Sequence, residues 1–162
     1  MVLISKPANV VTAPSKIPIF VPIYSVDKNA IDVSAFEVKK IHSKGMGMIA
    51  TQKLYPGDLI LAEKPMLTVP EDIFEDVEKC EEFIDKEINN LSSRDRELIL
   101  DLSDKRVKET EDSFDPTPYS GIFYTNAMAY GDGAVLCPVM ARANHSCRAN
   151  AEFVSREDLG KS

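Results

Sequence analysis

The chain has 162 residues, 44% of them hydrophobic and 28% charged, with a formal net charge of −7. That length fits one domain, the apolar content is enough for a core, and the charge content is ordinary for a soluble protein. No apolar run is long enough to span a bilayer as a helix, and three widely spaced cysteines (Cys80, Cys137, Cys147) exclude a disulfide framework.

The N-terminus, Val2-Leu3-Ile4 before Lys6 and Pro7, lacks the basic start and apolar block of a secretory signal. Reduced thiols and an intracellular setting, nuclear or cytoplasmic, are therefore expected. The negative charge is concentrated. Residues 71–115 hold 17 acids and 7 bases, and the remainder holds 9 acids and 12 bases. So acidic a segment argues against direct nucleic-acid binding and reads as a solvated helix face. No membrane partner is expected.

Four prolines (Pro7, Pro14, Pro18, Pro22) mark residues 1–35 as a poorly ordered tail, in which Ile17 to Tyr24 could form at most an edge strand. Order is expected from Phe36, with a strand through Phe36, Val38 and Ile41. A tight Gly-rich turn at Ser43 to Met48 leads to a second strand at Met48 to Thr51. Tyr55-Pro56-Gly57-Asp58 is a strong turn sequence. Leu59 to Glu63 and Met66 to Val69 complete a compact block of short strands.

Residues 71–91 place Ile73, Val77, Cys80, Ile84, Ile88 and Leu91 at helical spacing, with acids between them. Cys80 on that stripe reads as a packed core thiol. Ser92 and Asp95 give a capping-box-like start to a second helix carrying Leu98, Ile99 and Leu102. Residues 103–119 read as an exposed loop. An aromatic run, Gly121 to Tyr130 (GIFYTNAMAY), is followed by a turn at Gly131 to Gly133. Ala134 to Val139 reads as a strand, Met140 to Asn144 as a helical turn, and Ala151 to Val154 as a strand.

The densest chemistry lies at Arg142 to Asn150, RANHSCRAN, with one of two histidines and one of three cysteines. Apolar segments flank it, which predicts a partly buried polar site. Cys147 and His145 would share a face on a strand, but nucleophile and base in thiol enzymes normally come from separate segments, which disfavours a thiol hydrolase. A structural zinc site needs four ligands, and His42, Cys80 and Cys137 offer no paired spacing. The third reading is a cofactor site. Gly45-x-Gly47 lacks the third glycine and following helix of a dinucleotide fold, leaving a loop whose backbone can approach a ligand closely. Asn144 and His145 would supply donors and acceptors for a small polar ligand.

Asn144-His145-Ser146-Cys147 followed by Asn150 resembles the NHSC-x-P-N signature of SET-domain protein-lysine methyltransferases. Lys44-Gly45-Met46-Gly47-Met48 and the following IATQKLYPGDLILAEKP resemble that family's first motif. GIFYTNAMAY resembles the segment between the two in members with a helical insertion, the fungal-type and SET-and-MYND groups. The resemblance spans about residues 36–154 and carries no MYND cysteine array. It implies an α+β fold, mainly β: a SET-type β-clip of short strands, with a helical insertion at about 71–103. A partial SET domain would then occupy 36–162.

It further implies S-adenosylmethionine as cofactor, contacted by Lys44, Gly45, Met46, Gly47, Asn126, Asn144 and His145. Met128 would line the target-lysine channel, and a protein carrying that lysine would be the substrate. Cys147 would match a zinc ligand completed by three cysteines of a longer form. Ala149 replaces the family proline, loosening the backbone there. The family's catalytic tyrosine follows the point where this sequence stops, so these residues are expected to be inactive alone. The alternative is a non-catalytic SET remnant that binds a protein partner.

Overall fold

In the computed structural model, residues 1–5, 35–104 and 118–154 are described. They form helices and strands in roughly equal amount, an α+β arrangement of small antiparallel sheets without a barrel. The mainly β content expected from the sequence is corrected accordingly. The expected edge strand at 17–24 lies outside the described residues, as does nearly all of the loop expected at 103–119. The chain divides into two compact units, Met1–Lys64 with Arg142–Ser162, and Pro65–Ala141.

The first unit contains a three-stranded sheet with β1 (Val2–Ser5) at its centre, between β4 (Leu59–Ala62) and β8 (Ala151–Val154). This strand lies within the stretch read as a proline-rich tail. Leu3 pairs with Leu61 on one side and Phe153 on the other, and Leu3 and Leu61 are buried. The strong turn forms as its sequence predicts: the Asp58 N–H donates to the Tyr55 carbonyl at 3.0 Å. The turn is tied to the sheet because the Ser5 N–H donates to Asp58 O at 3.1 Å and the Gly57 N–H to Ser5 O at 3.0 Å.

A second sheet in this unit is the hairpin of β2 (Phe36–Ile41) and β3 (Gly45–Ala50). The strands expected at 36–69 are therefore not one block. They divide among three sheets, because β4 takes β1 as its partner and β5 (Leu67–Val69) pairs with β7 (Gly133–Leu136).

The second unit holds the β5-β7-β6 sheet, with β6 at Met128–Tyr130, and the helices. The periodic stretch read as one helix is two: α1 (Glu71–Phe74) and α2 (Val77–Asn90). Asp76 breaks it. Its backbone is extended, and its carboxylate accepts from the Lys79 N–H at 3.2 Å and pairs with Lys79 Nζ at 2.7 Å. The Asp side chain thus satisfies one of the orphan donors of a new helix start. One consequence is that Val77 leaves the apolar stripe and stands 57% exposed, while Cys80, Ile84 and Ile88 are fully buried.

α3 (Ser93–Leu100) starts at the expected cap. The Ser92 hydroxyl accepts from the Asp95 N–H at 3.1 Å and donates to the Asp95 carboxylate at 2.7 Å. Part of the aromatic run is helical, as α4 (Pro118–Asn126), which buries Ser120, Gly121, Ile122 and Phe123 in succession. The core joins Val69, Ile84, Ile88, Ile99, Phe123 and Leu136. Full burial of each such side chain is worth roughly 1.5–3 kcal/mol.

Two predictions follow from the caps. Ser92→Ala leaves the Asp95 amide without its partner and is expected to cost about 1 kcal/mol in a urea unfolding curve. Lys79's hydrogen bond holds the Asp76 carboxyl below its usual range. Asp76 therefore contributes stability above its unfolded pKa near 3.8, and that contribution is lost as pH falls through the lower folded value. The gap in melting temperature between wild type and Asp76→Asn is expected to be open at pH 6 and to close on acidification below pH 4.

Candidate functional site

The β2–β3 hairpin turns at Ile41 to Gly45, where the Lys44 N–H donates to Ile41 O at 3.1 Å. Ser43 takes φ 64° and Gly45 φ 71°. Gly45 meets that left-handed requirement without strain, whereas Ser43 meets it with a Cβ. A Cβ added at Gly45 would meet nothing within 4 Å, so the backbone there faces open space.

Gly47 is the opposite case. It is buried, and a Cβ there would collide with Asn144 Nδ2 and Ile41 Cδ1. Asn144 Nδ2 also reaches the Met46 carbonyl at 3.4 Å, a long hydrogen bond. The missing side chain of Gly47 is thus the space in which Asn144 lies. Two stretches 98 residues apart are brought together.

The second stretch is held from both ends. A 3-10 turn at Met140–Arg142 precedes it, and β8, paired with β1, follows it. Between these anchors Asn144 to Asn150 are all exposed, which corrects the expectation of a partly buried site. The flanking apolar segments are buried or paired on their own account and do not enclose the cluster. The Ser146 hydroxyl accepts from the Arg148 N–H at 3.2 Å, a local turn. Cys147 Sγ lies 3.5 Å from His145 Nε2.

Thiol and imidazole therefore meet although they come from one segment. Among the described residues no side chain bonds the other ring nitrogen of His145, so the third group that orients a catalytic base is not supplied. Among the described residues, too, no three His, Cys, Asp or Glu side chains are grouped to hold a metal ion. Cys147 with His145 falls short of the four ligands of a structural zinc site.

Lys44 is exposed at the hairpin turn. Asn126 belongs to the second unit, at the end of α4, where its amide donates to Ile122 O and Ser103 O, both at 2.7 Å. It ties the helix end to the segment after α3. Met128 opens β6 half-buried. Sequence reasoning missed Ile41 as a neighbour of Gly47. The two share a face only through the hairpin register that pairs Ile41 with Gly45 and Lys39 with Gly47.

No match is found among protein-family models, curated proteins or solved structures. No helix among the described residues is long and apolar enough to cross a membrane.

The three thiols differ in exposure. Cys80 and Cys137 are buried and Cys147 is exposed. Burial pushes the Cys80 thiol up, against a smaller opposing effect of a hydrogen bond with Tyr124. Cys80 therefore stays protonated and inert at pH 8. Alkylation of the native chain at that pH, read by peptide mass mapping, is expected to label Cys147 rapidly, and Cys80 and Cys137 only after unfolding.

Proposed function

We propose that the first unit is the cofactor-binding part of a SET-type, S-adenosylmethionine-dependent protein-lysine N-methyltransferase. The observation that carries this reading is the seating of Asn144 against Gly47. The two motifs that resemble the family meet in space, and each explains a feature of the other. The residues fit such a ligand. Gly45 leaves backbone open to approach, and Asn144 and His145 present donors and acceptors to solvent. A ligand with an amino-acid portion and an adenine could use both.

When bound, the cofactor supplies an electrophilic methyl group on a sulfonium. The chain's part is to hold and align. Met46 O and the Asn144 amide fix the loop edge, and Lys44 stands at its rim. Met128 is assigned to the lysine channel by resemblance. An apolar channel favours the neutral amine of a lysine whose free pKa is about 10.4, because desolvation penalises the ammonium. Alignment of that amine with the methyl group then supplies most of the rate.

Isothermal titration calorimetry with S-adenosylmethionine tests the reading. Binding is expected, weak in this chain. Asn144→Ala and Gly47→Ala are each expected to weaken it about tenfold, the equivalent of one hydrogen bond of roughly 1.4 kcal/mol. Gly47→Ala should leave the melting temperature nearly unchanged, because the atoms it displaces are the ends of side chains. Absence of binding, or indifference to Asn144→Ala, removes the reading.

A further inference from the structure

The β2–β3 hairpin has two faces. One carries Ile41 and Gly47 and is covered at Gly47 by Asn144. The other is covered at its Phe36 end, where Phe36 is buried, is half-buried at Met48, and opens to solvent toward the turn. On it Val38 lies directly opposite Met48, and Lys40 opposite Met46. Val38 is 37% exposed and Met46 44%. Lys40 and the turn residue Lys44 are exposed beside them. Lys39, on the other face, is already ion-paired to Glu37.

The complementary surface is on the same chain. Glu71–Glu78 carries five acids in eight residues and no base. The break at Asp76 leaves Phe74 37% and Val77 57% exposed among them. Lys79 pairs with Asp76 at the end of this segment, which leaves Glu71, Asp72, Glu75 and Glu78 outside that ion pair, so each surface presents two large apolar side chains within charge predominantly of one sign, and the signs are opposite. Apolar contact supplies the attraction at close range, and opposite charge selects the pairing and speeds encounter.

We infer that the Val38–Lys40–Met46 face of the hairpin docks the acidic Glu71–Glu78 segment of a second copy of the chain. The contact is heterologous, since each copy offers one face of each kind. It does not rest on the cofactor reading, although Lys44 and Met46 belong to both surfaces.

Sedimentation velocity on the full chain, over a concentration series at low and high salt, tests it. Concentration-dependent association is expected at low salt and should weaken as salt screens the charges. Lys40→Glu and Glu75→Lys are each expected to weaken association at least about tenfold, and the double variant to restore it. Val38→Ser, which changes no charge, should weaken it as well. All three substituted positions, Val38, Lys40 and Glu75, carry exposed side chains, and far-UV circular dichroism with thermal melts checks that each variant is folded. A single monomeric species at every concentration overturns the inference. So does association that is unmoved by either charge reversal or by Val38→Ser, or a double variant that fails to recover.

Discussion

Pairing of Val2–Ser5 on both edges is the constraint on which the first unit rests. β4 and β8 do not bond to each other; each bonds to β1. Without that central strand, Ala151–Val154 would have no ladder partner, and the segment before it would lose its downstream anchor. Asn144 reaches Gly47 because the chain is pinned a few residues later by β1. The burial of Leu3 against Leu61 is therefore a condition of the candidate site, although neither residue touches it.

The second unit is organised differently. Its core is made of apolar side chains from α2, α3, α4 and the β5-β7 pair, and its polar features are local. Asp76 and Ser92 start helices, and Asn126 ends one by bonding carbonyls at Ile122 and Ser103. Such residues act over one helical turn or across one connection. They explain why this unit is helical where it is, and none of them gathers reactive groups into one place.

Much of this was legible in the sequence where structure is set locally. The first hairpin strand, the Tyr55–Asp58 turn, the Ser92 cap, the helical turn after Val139 and the strand at Ala151–Val154 all follow from residues within a few positions of one another, whereas the second hairpin strand, expected from Met48, already starts at Gly45 because Gly45 to Gly47 pair with Ile41 to Lys39. What was not legible depends on distant partners or on competition between local signals. Val2–Ser5 has too few residues, too close to prolines, to announce a strand; its partners lie about 60 and 150 residues away. α4 is buried along four successive residues, so it shows no amphipathic stripe. At Asp76 a capping side chain overrode a helical period that ran straight through it. At the site, the Gly-x-Gly motif and the polar cluster were both visible, but the motif lies in β3 and not in a turn, and the seating of Asn144 in the space left by Gly47 was not visible. Nor was the exposure of the cluster, since flanking apolar residues find their own partners.

The second unit is built from one unbroken stretch, Pro65–Ala141, whereas the first is assembled from the two ends of the sequence. During synthesis from the N-terminus, the helical unit has all its parts once Ala141 has emerged. The central strand of the other unit can find β4 early but must wait for Ala151–Val154 before its second edge is filled. Until then that edge offers unsatisfied backbone donors and acceptors to any neighbouring strand. The nascent chain is thus open to mispairing along Val2–Ser5 at a stage when all of Pro65–Ala141 has already emerged.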